Sequence, residues 1–522
     1  MSRKLFNIAG PCNPVDHYII DAYRRLGDEV GRLITDKQYF VIHAARQSGK
    51  TTLLINLTQS INAKGDYYAL YCSLEESDGI IEPEKGLSTV IASIKSALKY
   101  TALPHKEQFA QNTTGISFSD VLYSALADYC SLLDKPLIIF FDEADCLSNQ
   151  TLISFLRQLR KGYIDRNTGV PFVHSLALVG MRNIRDYKAF IRPDQETLGS
   201  ASPFNVVSEA LTLRNFTEEE IKELYMQHTA NTGQKFEESI FSFVYEQTLG
   251  QPWLVNAIAR ECADKITNRD FSQIITKVMS HQAIQTLIRR RDVHFDSLIE
   301  RLKEQRVHNV VQPMITGEGD IDKATNDFLY TRDLGIIREL KNGAVVPGNP
   351  IYAEMIGRAL SFRVQDSLNL KNPELIVPRY LKDGKIDMDY LMRDFQVFWR
   401  ENSKIWGERF DYKEAAPHLV MQAFLQRIIN GGGDIIREMA SGSGRSDLCV
   451  VYDDHKYPVE IKIKGNQPFN KSVEQIAAYM DTFGVSEGHL VIFDRDDSKT
   501  WDEKIFTRTE NFEGKTITVV GC

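Results

Sequence analysis

The chain has 522 residues, 43% hydrophobic and 25% charged, with a formal net charge of −8. That composition is globular, and the length exceeds what one core organises, so about three or four domains are expected. The acidic balance excludes a surface coated with phosphate-binding cations, and seven cysteines without C-x-x-C spacing fit neither a disulfide frame nor a zinc site. No apolar run approaches the roughly 18 residues of a membrane span, and the opening MSRKLFNIAG has no secretory apolar segment, so a cytoplasmic protein without a membrane partner is expected.

The first strong signal is QYFVIHAARQSGKTTLLINL, residues 38–57, an apolar stretch running through a loop into a helical pattern. Strand, loop and helix in that order are the context a P-loop needs. Backbone N–H groups around Ser48 and Gly49 can cradle phosphates, Lys50 can reach the β- and γ-phosphates, and the Thr51 hydroxyl, with Thr52 beside it, can serve Mg²⁺ and phosphate. Ala44 replaces the first glycine of the usual G-x-x-x-x-G-K-[ST] pattern.

Downstream, KPLIIFFDEAD (135–145) predicts a buried parallel strand that delivers Asp142 and Glu143 to its carboxyl edge. Asp142 is the expected Mg²⁺ ligand and Glu143 the residue that polarises the attacking water. Further strands are expected at 66–75, 173–181 and 204–213, alternating with helices, which predicts a parallel sheet covered on both faces. Arg182 follows the fourth strand and is placed to sense a terminal phosphate. Pro252 starts another helix at its first turn.

Residues 283–362 read as helices followed by a hairpin around Asn342-Gly343, the pattern of a winged helix. Lys and Arg there number eleven against eleven Asp and Glu, so a relay packed on the ATPase is favoured over a DNA reader. A linker rich in Pro, Asn and charge follows.

Near the carboxyl end, RSDLCVVYDDHKYPVEIKI (445–463) predicts two strands about a charged turn. With a four-residue turn, Tyr452 pairs with Tyr457 and Asp447 falls opposite Lys462. Glu460, two residues away, shares the face, while Leu448, Val450, Val459, Ile461 and Ile463 form a core stripe on the other. The hairpin is expected to bury one face and keep the other for charge. Two carboxylates a few ångströms apart invite a divalent ion, Mg²⁺ or Mn²⁺, and Lys462 beside it suits metal-assisted phosphodiester hydrolysis. The same residues also fit an ordinary strand with cross-strand ion pairs. Residues 379–522 hold 20 Lys and Arg against 24 Asp and Glu, so nucleic acid contact there has to be local.

FNIAGPCNPVDHY, HAARQSGKTTLL, IIFFDEAD, VGMRNIRDY, LTLRNFTEEEI and LGQPWLVNAIAREC together resemble AAA-like ATPases of the signal-transducing, STAND-type branch. Within that branch the chain is most similar to bacterial ATP-binding proteins that carry a C-terminal PD-(D/E)xK nuclease-like domain. The resemblance implies an α/β fold: a P-loop ATPase core over 1–204, a last core strand and helical lid over 205–282, a winged-helix-like domain over 283–365, a linker and helix over 366–402, and an α/β/α restriction-endonuclease-like domain over 403–522. It also implies ATP and Mg²⁺ as cofactors, a lid element Gly250-Gln251-Pro252 that contacts nucleotide through Pro252, DNA as partner, and Asp447, Glu460 and Lys462 as nuclease-site residues. Gln475 and Tyr479 match the flanking Q-x-x-x-Y element. Members of the wider superfamily often add a glutamate from the first helix; here that helix offers Gln422 and Gln426, with Glu414 at its beginning and Glu438 on the next strand. A homo-oligomer, with Arg192 or Arg214 acting in trans, and a regulator or assembly protein that binds nucleic acid or a partner without cutting are the alternatives carried forward.

Overall fold

The computed structural model describes residues 4–147, 149–180, 207–290, 293–316, 321–367, 380–382, 384–409, 417, 420–422, 424–425, 433–439, 446–452, 455–465, 468–494, 496 and 498–522. The chain divides into two compact units, Met1–Arg290 with Asp333–Gly335, and Arg291–Arg332 with Ile336–Cys522.

In the first unit, α1 (Glu29–Thr35) leads into β1 (Tyr39–His43), α2 (Lys50–Lys64), β2 (Tyr68–Ser73), α3 (Pro83–Lys99), α4 (Val121–Leu132), β3 (Leu137–Asp142), α5 (Asn149–Asp165), β4 (Ser175–Gly180) and β5 (Val207–Thr212). The five strands are all parallel, in the order β2-β3-β4-β1-β5. Every residue of β3 and β4 is buried, which is why those strands read as unbroken apolar runs rather than alternating ones. Alternate residues serve two cores. Tyr39, Val41, Ile139 and Phe141 pack with α3, α4 and α5, whereas Phe40, Ile42, Ile138 and Phe140 pack with α1 and α2. The parallel sheet with helices on both faces is the expected core.

Four helices continue the unit: α6 (Glu218–Thr232), α7 (Ser239–Thr248), α8 (Pro252–Arg260) and α9 (Lys277–Arg290). A capping box fixes the start of α6, with Thr217 and Glu220 exchanging side-chain and backbone hydrogen bonds. The N-terminal segment is tied to this bundle. Phe6 packs on Tyr18 and Tyr225 at ring distances of 4.8 and 5.6 Å, and Trp253 donates its indole N–H to the Ile8 carbonyl at 2.9 Å.

The second unit begins with α10 (Val293–Arg301), α11 (Gln305–Thr316), α12 (Asn326–Asp333), the antiparallel pair β6 (Ile337–Glu339) and β7 (Val345–Pro347), and α13 (Pro350–Ser367). A short pair, β8 (Leu381–Lys382) and β9 (Lys385–Ile386), precedes α14 (Met388–Arg409). Then come β10 (Gly433–Met439), β11 (Ser446–Tyr452), β12 (His455–Ile463), α15 (Phe469–Phe483), β13 (Glu487–Phe493), α16 (Trp501–Lys504), β14 (Phe506–Phe512) and β15 (Lys515–Gly521).

Six of these strands form a mixed sheet ordered β10-β11-β12-β13-β15-β14, with β12, β13 and β15 parallel at its centre. α15 covers one face, where Ile476 and Met480 pack on Leu490, Ile517 and Val519. α14 lies on the other. Phe395 and Trp399 pack on Phe493 at 6.0 and 4.8 Å, and the Gln396 amide donates to the Gly521 carbonyl at 2.7 Å. α14 therefore lies against this sheet, beginning within the 366–402 stretch expected to hold a linker and a helix and running on to Arg409.

Candidate functional site

The P-loop connects β1 to α2. Gln47 and Gly49 both take left-handed conformations, φ 56° and 90°. Such turns aim successive N–H groups inward, the geometry of an anion nest. Gly49 caps α2, so the positive end of the helix faces the same space. Ser48 is buried and its Oγ has no hydrogen-bond partner.

Lys50 is buried, and its ammonium donates to the carbonyls of Ala44 and Ala45, both at 2.9 Å. Burial lowers its pKa, and the carboxylates of Asp142, Glu143 and Asp145 oppose that shift. The lysine is thus held by two loop carbonyls that a phosphate, carrying full charge, outcompetes.

Thr51 donates its hydroxyl to Asp142 Oδ2 at 2.7 Å, so the two residues expected to share Mg²⁺ are brought together. A hydroxyl and a carboxylate are hard oxygen donors that fit this ion. Glu143 sits at the carboxyl end of β3 in a left-handed conformation, φ 55°. Its N–H donates to Asp142 Oδ1 at 3.0 Å. Burial, then the neighbouring Asp142 and Asp145, push its carboxyl above the ordinary range. Strain of this kind in a non-glycine residue is common at functional positions.

Pro252 starts α8, preceded by Gln251 as its cap. Gln251 accepts from the Leu254 N–H at 2.7 Å and donates to the Arg46 carbonyl at 3.5 Å, joining the helical bundle to the P-loop. Gly250 has φ +71°, and a Cβ there would meet the Phe216 carbonyl oxygen at 1.9 Å. Thr52 accepts a hydrogen bond from the Cys12 N–H at 2.9 Å. Arg182 and Arg192 lie outside the described residues. Arg214 is held within its own chain, a bidentate partner of Glu220 at 2.7 and 2.8 Å.

Two residues of this region escaped the sequence reading. Tyr71, on β2, donates its hydroxyl to Asp142 Oδ2 at 3.2 Å. Arg25 is buried, donates to the Arg214 carbonyl at 2.7 Å and lies over Phe216 at 4.9 Å. A Cβ on Gly49 would meet its guanidinium at 3.3 Å. Burial lowers its pKa to about 10. Tyr71 had one available cue, its place in a strand neighbouring β3; Arg25 had none.

The C-terminal hairpin is two residues tighter than expected. Tyr452 pairs with His455 and Leu448 with Val459. One further step of that register puts Asp447 level with Glu460 rather than Lys462. A slip of two preserves the face, and Glu460 and Lys462, two residues apart on β12, share a side of the sheet. The expectation of a wet face fails, however. Glu460 is level with Leu490 and Lys462 with Ile492, on the face that α15 covers.

The Glu460 side chain is fully buried and that of Lys462 is 13% exposed. Lys462 forms an ion pair with Glu460, yet among the described residues neither carboxylate oxygen accepts a hydrogen bond of good geometry. Backbone pairing sets Glu438 opposite Asp447; the side chains of both lie outside the described residues. Gln475 and Tyr479 are half-buried on α15. Gln422 is buried with its Oε1 unpartnered, and Glu414 and Gln426 fall outside the described residues. Among the described residues no group of three or more His, Cys, Asp or Glu is arranged to hold a metal ion, and no helix is long and apolar enough to cross a membrane.

No curated protein matches the chain. Solved structures do. The Walker-type ATPase PABY2304 of Pyrococcus abyssi aligns at 12% identity with a TM-score of 0.45, over 67% of this chain and 99% of its own. Cdc6p from Pyrobaculum aerophilum aligns at 12% identity and TM-score 0.37, over 66% of this chain and 94% of its own. The Orc1 protein of Aeropyrum pernix, in complex with DNA, aligns at 13% and 0.33, over 68% and 95%. The AAA-like domain model matches residues 29–356, well over half the chain and all of the P-loop sheet. This protein therefore belongs to the AAA-like domain family.

Proposed function

We propose that the protein binds and hydrolyses ATP and that its nucleotide state controls a metal-dependent nuclease domain acting on DNA, in a setting such as defence against phage or plasmids. Support for the first half is the P-loop arrangement. Lys50 waits on two carbonyls, Thr51 and Asp142 are in contact, and Glu143 stands next to them with a raised pKa. Bound Mg²⁺ supplies charge neutralisation on the phosphates. Lys50 binds the phosphate chain, Asp142 and Thr51 hold their oxygens toward the ion, and Glu143 orients the attacking water. Arg182 and Pro252 remain proposed nucleotide contacts, with Ser48, Gly49 and Thr52 lining the cradle.

The observation that carries the second half is the state of Glu460. A fully buried carboxylate whose partner among the described residues is one ammonium, that of Lys462, is costly to keep out of water, and it suits a position that takes a divalent cation together with Asp447. Lys462, touching Glu460, would hold or move a proton at the attacking water, and Gln475 would position the scissile group. Mixed-sheet topology with helices on both faces agrees with the α/β/α nuclease-like reading.

The helices α10 to α12 and the β6–β7 pair follow the winged-helix order. Several of their cations are tied to acids within the module: Arg301 to Glu304 at 2.5 Å, Arg306 to Asp327 at 3.1 Å, and Lys323 to Glu339 at 2.7 Å. That pairing favours a relay over a DNA reader. A regulator that binds nucleic acid or a partner without cutting is the second reading, favoured by the ion pair that already occupies Glu460 with Lys462. Plasmid incubation with Mg²⁺ or Mn²⁺ and ATP separates the two. Cleavage that disappears in Lys462→Ala is expected, and equal behaviour of both proteins on every substrate removes the nuclease.

A further inference from the structure

β2 is the outermost strand of the ATPase sheet. Its bonds to β3 are set at both ends, by the Tyr68 N–H on the Pro136 carbonyl and the Leu74 N–H on the Asp142 carbonyl, each at 2.9 Å. In a parallel ladder only alternate residues bond a given neighbour, so residues 68, 70, 72 and 74 serve β3 while 69, 71 and 73 present N–H and C=O to the open side. At Ala69 both groups are taken by the side-chain amide of Asn62, at 2.8 and 2.9 Å. One side chain thus stands in for a neighbouring strand and stops there.

Past Asn62 the main-chain groups of Tyr71 and Ser73, the Ser73 carbonyl taking only a weak contact from Cys72 Sγ at 3.7 Å, border a cavity of about 830 Å³, walled by α2 on one side and α3 on the other. Thr58 lines the α2 wall with a buried hydroxyl that has no hydrogen-bond partner among the described residues. Ala97 and Tyr100 line the α3 wall, and Tyr100 is 82% exposed at the rim. Glu75 and Glu76 close the end where β2 finishes, and Lys135 stands at the other end beside Tyr68. The volume is that of a ligand site, but its shape follows a strand edge. Unpaired edges in folded proteins are ordinarily shielded or charged. Here two helices leave a slot, an amide plugs only its far end, and the acids lie at one end rather than along the strand.

We propose that this slot docks an extended peptide segment of a partner protein, added as a strand to β2, with a lysine or arginine side chain meeting Glu75 and Glu76. Main-chain hydrogen bonds to Tyr71 and Ser73 supply affinity, the tyrosine and alanine walls receive alternate side chains, and the acidic pair sets polarity. Tyr71 contributes a further consequence. Its main chain faces the slot while its hydroxyl reaches Asp142, so a docked strand fixes a partner of the residue proposed to hold Mg²⁺. This coupling rests on the ATPase reading; docking itself does not.

The test uses the full chain and fluorescein-labelled hexapeptides of alternating Thr and Val, carrying a lysine at either terminus or glutamate instead, followed by fluorescence polarisation. Saturable binding of a lysine peptide is expected, weakened about tenfold or more when alternate amides are N-methylated, because strand addition needs those donors. The Glu75→Lys/Glu76→Lys variant and, without any charge change, Ala97→Trp should each weaken it similarly, with the melting temperature verifying that both fold. Lys50→Ala should bind peptide normally while failing to bind ATP, which separates this proposal from the nucleotide assignment. The proposal is overturned by no saturable binding of either lysine peptide up to about 1 mM, by equal binding of the glutamate peptide, or by indifference to N-methylation. Displacement by spermidine would make the slot a site for a small organic cation and would equally overturn strand docking.

Discussion

Lys462→Met is the most informative single change in the C-terminal unit. Glu460 is fully out of water and, among the described residues, accepts no hydrogen bond of good geometry and has Lys462 as its ion-pair partner. Removing the ammonium leaves a buried uncompensated charge, a change that costs about 3–5 kcal/mol where it has been measured. The lower end applies, since Lys462 keeps some solvent contact. Adding Glu460→Gln exchanges the lone charge for a buried amide, whose unsatisfied cost is about 1–3 kcal/mol. The double variant should therefore be more stable than Lys462→Met alone, by up to about 2 kcal/mol. Urea unfolding followed by tryptophan fluorescence reads this, because Trp399 packs on Phe493 of the same sheet. Mn²⁺ should restore part of the loss in Lys462→Met and none in the double variant. The reasoning fails if Lys462→Met matches wild type, or if the double variant is the less stable of the two.

Lys50→Ala should abolish ATP binding by calorimetry; unchanged affinity refutes the P-loop assignment. Glu143→Gln should bind ATP normally and turn over about 10²–10⁴-fold more slowly, and retained hydrolysis removes Glu143 from its role. Because the Glu143 carboxyl is raised, the wild-type ATPase rate should fall with acidification at a higher pH than an ordinary carboxylate, near about 4.3, would impose. The same shift means that the folded state binds this proton more tightly than the unfolded chain, so its stabilising contribution is present at low pH and lost as pH rises through the raised value. Gly250→Ala places a Cβ 1.9 Å from the Phe216 carbonyl oxygen at φ +71°; strain of at least about 1–3 kcal/mol should appear as a lower melting temperature, and an unaltered melt refutes the contact.

What was legible depended on whether a feature follows from local pattern. β1 and β3 announce themselves because strands buried on both faces carry unbroken apolar runs, and Asp142 and Glu143 are readable as the place where such a run stops. In the C-terminal hairpin the turn is two residues shorter than the pattern suggests, and because that difference is even it moves no residue of the hairpin to the other face. Burial of the face that carries Glu460 and Lys462 was not legible. A Glu-x-Lys alternation looks identical whether water or a helix lies over it, and α15 arrives from a later part of the chain. Tyr71 and Arg25 are hidden from the sequence for the same reason, since each touches residues brought near only by folding, Asp142 for Tyr71 and Arg214 with Phe216 for Arg25.

These cases also explain why the formal charge of −8 was a poor guide to phosphate chemistry. Net charge counts mainly the solvated surface, whereas Lys50 rests against two backbone carbonyls and Lys462 against a buried acid. A cation withdrawn from water interacts far more strongly with an incoming anion or metal-bound group than one on the surface. A chain can therefore be acidic overall, which limits indiscriminate adhesion to nucleic acid, and still hold a buried cation at each of the two sites that the proposed phosphate chemistry requires.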